Sequence, residues 1–331
     1  MLWMGHLQRQ FISNMKSKIV ITGGAGFIGT HIAEYFSNRF SIVLFDNLLR
    51  NSINYAPALT QSAKVKFVKG DIRDKSAVKA VLSGADAVLH LAGIAGVSSY
   101  YKQPVETLRV NILGTFNLLD AMLETGVRRM LYLSTSEMYG PQAENANETS
   151  SPMVSGPVSE RRWVYAVSKL AGEHAVLRYG DEFDLQCTCV RPFNIYGPRQ
   201  TGEGAISNFA RHLVEGKPLQ IYGDGNDIRA WCYISDLVYA IDQMLDNDAA
   251  YGQSFNIGNP DARCTTTELA RKMIEVYEMG EIEYITTSHS PIRIRFPNID
   301  FAQEKLNYHP RIGLAEGLKK TLNWFKEESQ I

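Results

Sequence analysis

Long apolar runs are missing from this sequence. No segment approaches the roughly 18 to 20 residues that a helix needs to cross a bilayer, so no membrane partner is expected. An excess of either charge is missing too: 34 lysines and arginines face 35 aspartates and glutamates, for a formal net charge of -1. A polyanion such as nucleic acid finds no general attraction here, and any phosphate must be met by a local device. Cysteine is scarce, and Cys187, Cys189, Cys232 and Cys264 form no CxxC pair or ligand spacing. That argues against a disulfide framework and a metal centre, and it fits the reduced thiols of a cytoplasmic protein. The histidines, His31, His90 and His174 among them, are equally scattered. The opening MLWMGHLQRQFISNM lacks the apolar core of a signal peptide. Residues 1–14 are therefore expected to be a disordered extension, with Met15 a candidate start.

What is present is apolar material, 45% of 331 residues, enough to bury one large core or two joined ones without covalent staples. Residues 18–22 (KIVIT), 41–46 (SIVLFD), 65–69, 87–91 and 130–134 are short apolar or β-branched runs expected to be buried strands. Residues 27–37, 75–82 and 105–125 carry helical spacing, the last with Leu108, Ile112, Leu113, Phe116 and Leu119 on one apolar face. Strands alternating with helices imply α/β architecture, a parallel sheet covered on both sides. Beyond residue 190 the texture changes, as Pro192, Gly197, Pro198, Gly202, Gly204, Gly223 and Gly225 divide the chain into loops around a helix at 206–215. The expected organisation is a larger unit over 15–190, taking in 233–260 as well, and a smaller discontinuous α/β unit over 191–331.

Gly23-Gly24-Ala25-Gly26-Phe27-Ile28-Gly29 stands directly after KIVIT and opens the next helix. Glycines there let the backbone turn sharply and approach a pyrophosphate, whose charge meets the free N–H groups of the helix start. Asp46 closes the next strand, where a carboxylate takes the hydroxyls of an adenosine ribose and repels a 2′-phosphate; NAD is expected rather than NADP. Asp71, in GDIRD, either meets the adenine or caps its own loop. Tyr165-Ala166-Val167-Ser168-Lys169 puts tyrosine and lysine one helical turn apart on one face. An ammonium beside a phenol, with a positive nicotinamide near it, favours phenolate and makes Tyr165 a usable base. Alone, YxxxK is a common helical pair. Downstream of the glycine motif, with a Ser/Thr segment ending an intervening strand, it points to hydride chemistry.

From about Lys16 onward the chain resembles the extended short-chain dehydrogenase/reductase family, the nucleotide-sugar epimerases, dehydratases and decarboxylases. The resemblance rests on TGGAGFIG, HLAG (90–93), NILGT (111–115), STSEMYG (134–140), YAVSK, RPFNIYGP (191–198) and IYGDGNDIRAWCYISD (221–236), in the family's order. HLAG stands where many members have HLAA, and Phe27 where some have tyrosine; neither departure removes a chemical group. The resemblance implies a Rossmann-type doubly wound sheet with a smaller C-terminal substrate domain, and a bound NAD that serves as a recycled tool. The cofactor would lie against Gly23, Gly26, Phe27, Ile28, Gly29, Asp46, Asn47, Asp71, Ile72, Leu91, Ala92, Gly93, Asn111, Tyr165, Lys169 and Pro192. Tyr165 would take the proton of the sugar's carbon-4 hydroxyl as hydride leaves that carbon. Lys169 would hold the ribose and tune Tyr165, and Thr135, beside Ser136, would share the hydroxyl hydrogen bond. A 4-keto sugar has an acidic neighbouring C–H and easily loses a carboxylate two carbons away.

That chemistry gives meaning to Glu137, the lone acid of STSEMYG. Epimerases of the family usually carry a small residue there, whereas dehydratases and UDP-glucuronate decarboxylases place a carboxylate near carbons 5 and 6. A glutamate capping a strand-end loop is the plainer alternative. Arg162, three before Tyr165, stands where dehydratases and epimerases have Ser-Pro-Tyr or Asn-Pro-Tyr, and it resembles the decarboxylase branch. Arg295 falls where that branch carries an arginine near the departing carboxylate. Either arginine has the alternative of a surface acid or the nucleotide's phosphates. By the same resemblance, Asn194 and Arg229 would contact the diphosphate, Tyr222 would line the nucleotide pocket, and Asn208 is a base-binding candidate. A UDP-sugar substrate is implied, and a homodimer through helices 105–125 and 169–179, unless their apolar stripes face the sheet. The expected activity is oxidation at carbon 4 followed by decarboxylation or dehydration. The alternatives are a 4-epimerase and a non-catalytic NAD-binding sensor or scaffold, which would have no need of Tyr165, Lys169 and Thr135.

Overall fold

The computed structural model describes residues 18–153, 156–286 and 292–329; the expected extension at 1–14 and Met15 lie outside the described residues. The five apolar runs become β1 (Lys18–Thr22), β2 (Ser41–Asp46), β3 (Val65–Lys69), β4 (Ala87–His90) and β5 (Arg129–Leu133). With β6 (Gln186–Pro192) and β7 (Gln253–Ile257) they form one sheet of order β7-β6-β5-β4-β1-β2-β3, parallel throughout. This is a Rossmann-type sheet. The chain winds outward one way from β1 and the other way from β4, so the loops leaving these two neighbours part and open a crevice. Register brings the loops level, with Thr22 opposite both Phe45 and His90.

Alternation along the strands feeds two cores, one on each face of the sheet. Ile19, Ile21, Leu44 and Leu89 pack on one side, and Val20, Val43, Val88 and Met130 on the other. At the edge, β3 is a strand as expected but not a buried one: it exposes Lys66, Phe67 and Lys69, because only one side has a neighbouring strand, and the two charges discourage pairing with another.

The covering helices include α1 (Phe27–Phe36), α2 (Lys75–Leu82), α3 (Gly114–Thr125), α4 (Val164–Phe183) and α5 (Ala205–Val214). α2 starts at Asp74, whose carboxylate accepts from the N–H groups of Ser76 and Ala77 at 3.0 and 3.1 Å. The expected helix over 105–125 is instead Pro104–Leu108, a π-helical turn at Arg109–Leu113, and α3. Spacing by 3.6 residues fails across a π turn, so the five apolar residues do not share one face. Leu119 is buried, while Leu108, Leu113 and Phe116 are 36%, 55% and 39% exposed.

A second sheet stands beyond the carboxyl ends of the first. It pairs Gln142–Ala146, Ile294–Pro297, Ile228–Ala230 and Arg263–Thr265 in that spatial order. Ile228–Ala230 runs parallel to Ile294–Pro297 with Arg229 opposite Arg295. Parallel partners in register share a face, so two guanidinium groups are set side by side. No helix among the described residues is long and apolar enough to cross a membrane.

Candidate active site

The loops leaving β1, β2 and β4 surround a cavity of about 470 Å³. Gly23 turns with φ +70°, and a Cβ there would lie 2.7 Å from the Ala92 amide nitrogen, so this turn is packed against the loop carrying Leu91, Ala92 and Gly93. A Cβ on Gly29 would lie 2.7 Å from the Gly23 carbonyl oxygen. The glycines thus let α1 start against its own turn. α1 has no side-chain cap at Gly26, which leaves its first N–H groups free at an end that lines the cavity with Gly26, Phe27, Ile28 and Gly29.

Asp46 and Asn47 form the next wall. Asp46 accepts from the amides of Ala25 at 3.1 Å and Leu48 at 2.6 Å, and burial raises its pKa against the pull of these bonds. Asp71 and Ile72 follow, with Asp71 forked by Arg73 at 2.9 and 2.7 Å and drawn down to about 2, chiefly by that side-chain contact. Pro192, Tyr165, Lys169 and Ser134 close the far end. The Ser134 hydroxyl is buried and has no partner among the described residues. An uncapped helix start, a carboxylate ending β2 and an orphan hydroxyl at the opposite end fit a dinucleotide. Asn111 stands behind the lining: it accepts from the Ile94 amide at 2.8 Å and donates to the Ile94 carbonyl at 3.2 Å and to Ser168 Oγ at 2.9 Å. It ties the β4 loop to α4.

Tyr165 and Lys169 come to the cavity one turn apart on α4. Lys169 is buried with its Nζ 4.4 Å from the Tyr132 ring centroid, and burial drives its pKa down to about 7. Burial, and then Glu137, push the Tyr165 phenol up, and the leading opposing influences are the Thr135 hydroxyl and Arg50. Among the protein's own groups, burial and Glu137 outweigh the influences that favour phenolate. Thr135 also caps the short helix at Ser136–Tyr139 by accepting from the Glu137 amide at 3.2 Å, and Ser136 is buried beneath it.

Glu137 is therefore not the cap of its loop. Its carboxylate meets Arg162 Nη1 at 2.6 Å and Arg295 Nη1 at 3.5 Å. Burial alone would raise its pKa, but Arg295 and Arg162 outweigh that and hold it below the usual carboxylate range. Arg295 is 4% exposed, and its Nε and Nη2 have no partner among the described residues. Burial lowers its pKa, with Glu137 opposing. Arg229, the neighbour in register, is brought down to about 10 by burial and then by Arg295. Arg162 also donates to the Tyr100 hydroxyl, and the Tyr100 ring lies parallel to that of Tyr165, 5.9 Å between centroids. Arg229 has its own acid, Asp227, at 3.8 Å, whereas among the described residues Arg162 and Arg295 share Glu137 alone. Two guanidinium groups on one carboxylate leave a buried cationic excess, which asks for an anion.

A family model described as the NAD dependent epimerase/dehydratase family matches residues 19–258. The chain belongs to that family. It is an NAD-dependent enzyme of the extended short-chain dehydrogenase/reductase type. UDP-N-acetyl-alpha-D-glucosaminuronate decarboxylase of Bacillus cytotoxicus is 33% identical over 95% of this chain and 99% of its own length. UDP-glucuronic acid decarboxylase 1 of Arabidopsis thaliana is 31% identical over 95% of this chain and 71% of its own. Among solved structures, UDP-glucuronic acid 4-epimerase from Bacillus cereus, in complex with UDP-glucuronic acid and NAD, superposes with a TM-score of 0.86 at 26% identity, covering 94% and 99% of the two chains.

In this epimerase/dehydratase relative the remaining expected residues are spread out. Asn194 adopts a left-handed backbone, φ +41°, and donates to the Ala230 carbonyl at 2.8 Å. Arg229 donates to the carbonyls of Ile228 and Ile292 at 2.9 and 2.8 Å. Asn208 is exposed on α5 and accepts from Arg211, and Tyr222 is 64% exposed and donates to Gln220. Sequence reasoning missed Tyr100, Arg50 and Glu203. Arg50 donates to the Ala95 carbonyl and, at 3.2 Å, to Ser99 Oγ, while Glu203 accepts from the Ser98 amide at 2.8 Å. These bonds strap the loops after β2 and β4 to the loop before α5. Nothing in SSYYK distinguishes Tyr100 from Tyr101; only the fold does, burying the first and leaving the second 42% exposed.

Proposed function

We propose that this enzyme is a UDP-hexuronate decarboxylase, which oxidises carbon 4 of the sugar and then releases its carboxylate as carbon dioxide. The observation that carries this reading is the buried cationic excess around Glu137, with Nε and Nη2 of Arg295 unpartnered among the described residues. A sugar carboxylate would pair with them, whereas a neutral sugar would leave the charge uncompensated. Bound NAD supplies the hydride acceptor. Tyr165 would hold the carbon-4 hydroxyl and take its proton, with Lys169 and Thr135 orienting the pair. The uncapped start of α1, Asp46 and the loops carrying Asp71 and Gly93 would hold the dinucleotide; Asn194, Arg229, Tyr222 and Asn208 stay candidates for the nucleotide diphosphate and base.

Glu137, kept ionised by its arginines, would face the substrate's own carboxylate. Departure of that group as neutral carbon dioxide relieves two like charges. An ionised Glu137 also lacks the proton that a departing hydroxyl would need, which favours decarboxylation over dehydration. A 4-epimerase acting on the same uronate is the second reading, since the anion site serves it equally. Incubation with UDP-glucuronate, UDP-N-acetylglucosaminuronate, UDP-glucose and dTDP-glucose, followed by mass spectrometry, separates these. The expected result is loss of the mass of carbon dioxide from a uronate. An unchanged mass with inverted carbon 4 supports the epimerase, and loss of water from a neutral sugar overturns both.

The division of labour proposed for the chain follows: 15–190 with 233–260 hold the dinucleotide, and the rest of 191–331 holds the sugar nucleotide. We also propose a homodimer. Leu113 and Phe116 on one side, with Val167 and Phe183 of α4 at 42% and 40% exposure, leave apolar surface on two adjacent helices. Sedimentation should give a dimer, and Phe116→Asp should shift it to monomer at micromolar concentration; a monomeric parent protein overturns the assignment. The four cysteines are buried free thiols, consistent with a cytoplasmic location.

A further inference from the structure

Tyr100 belongs to no motif and has no part in the chemistry derived so far, yet it is the side chain that joins the two halves of the site. It sits on a short helix, Val97–Lys102, entered through Gly96 with φ +98°. Its side chain is 1% exposed. On one side its ring is stacked 7° from parallel on Tyr165. On the other its hydroxyl accepts from Arg162, which grips Glu137 at 2.6 Å. Tyr165 acts at carbon 4, and the arginine group holds carbon 6. The Tyr100 hydroxyl is thus bonded to the proposed carbon-6 holder, on a ring stacked against the proposed carbon-4 base, which would set it beside carbon 5 of a sugar spanning the two.

We infer that Tyr100 is the proton donor to carbon 5 once the carboxylate has left. This rests on the decarboxylase reading. As the C5–C6 bond breaks, its electron pair passes into the carbon-4 carbonyl and gives an enolate. The enolate then collapses and carbon 5 takes the proton from the Tyr100 O–H. Burial and then Glu137 push this phenol's pKa up, with Arg162 opposing, so the phenolate left behind against the Arg162 guanidinium is short-lived and water reprotonates it on product release. Glu137 is ionised and has no proton to give. Tyr165 is occupied with the carbon-4 oxygen. Delivery from one fixed phenol also makes the new C–H bond form on one face.

Turnover of UDP-glucuronate in heavy water tests this, read by proton NMR of the pentose product and by absorbance of reduced nicotinamide. The unmodified enzyme should place one deuterium at carbon 5 in a single configuration. Tyr100→Phe keeps the ring and its stack but loses the proton. It should oxidise carbon 4 at close to the parental rate, slow product formation by about tenfold or more, and scatter the deuterium over both configurations. A single configuration at the parental rate overturns the inference. Equal loss of carbon-4 oxidation in a folded Tyr100→Phe protein also overturns it, since Tyr100 would then act only by positioning Tyr165. Should that variant not fold, Tyr100→His, an aromatic ring that carries a proton, takes its place: one configuration supports the inference and a mixture overturns it. Failure of the decarboxylase reading is seen separately, as no loss of carbon dioxide by the unmodified enzyme.

Discussion

Tyr165→Phe should lower the rate of carbon-4 oxidation by on the order of a thousandfold while leaving the fold and the bound dinucleotide in place. The phenylalanine ring fills the same space, keeps the parallel stack on Tyr100 and disturbs no backbone bond of α4. What disappears is the phenol oxygen, on which the Thr135 hydroxyl acts. Hydride cannot leave a carbinol carbon unless the hydroxyl proton leaves with it, so the loss falls on the first chemical step and on everything after it. Burial makes this phenol a reluctant acid. The base must therefore be drawn to ionise by charges that arrive with the ligands, and activity should rise with pH in the region where the substrate complex deprotonates. Single-turnover absorbance of reduced nicotinamide on mixing with UDP-glucuronate measures the effect, and thermal melting checks the fold. A variant within tenfold of the parent would mean that another group takes the proton.

Glu137→Gln should separate the steps that Tyr165→Phe removes together. Carbon-4 oxidation should persist, while release of carbon dioxide slows by on the order of a hundredfold. The amide no longer repels the substrate's carboxylate, so binding should tighten as turnover falls, a KM and kcat split that a loss of folding does not produce. Stability should drop as well. Arg162 and Arg295 are 7% and 4% exposed, and Glu137 is the anion between them. Removing the charge of one partner in a buried ionic group costs about 3 kcal/mol. Melting in the presence of ligands gives the sign: UDP-glucuronate should restore more stability to the variant than UDP-glucose, because it returns a carboxylate to the arginines. Equal slowing of both chemical steps, or equal rescue by the two nucleotides, would remove Glu137 and the anion site from the decarboxylation.

Much of this was legible before any coordinates. The central strands β1, β2 and β4 are apolar runs because both faces of a parallel sheet are covered there, and the glycine turn announces itself because only glycine tolerates the contacts Gly23 and Gly29 make. The pairing of Tyr165 with Lys169 is one helical turn, a local distance. The family resemblance supplied Glu137, Arg162 and Arg295, with their places in the chemistry. The apolar face of 105–125 failed for an equally local reason, a π turn that sequence periodicity does not register.

The sequence by itself determined the winding of the chain, the nucleotide cradle and the pairing of the proposed base, Tyr165, with Lys169, since each depends on neighbours within a few residues or within one strand-helix unit. Only the tertiary structure decided the electrostatics. Glu137, Arg162 and Arg295 are drawn from three separate segments, and a chain whose charges sum to -1 gives no sign that it buries a cationic excess in one place. Charge interacts through space at a strength set by burial, and neither the distance nor the burial of residues this far apart is written in their order along the chain.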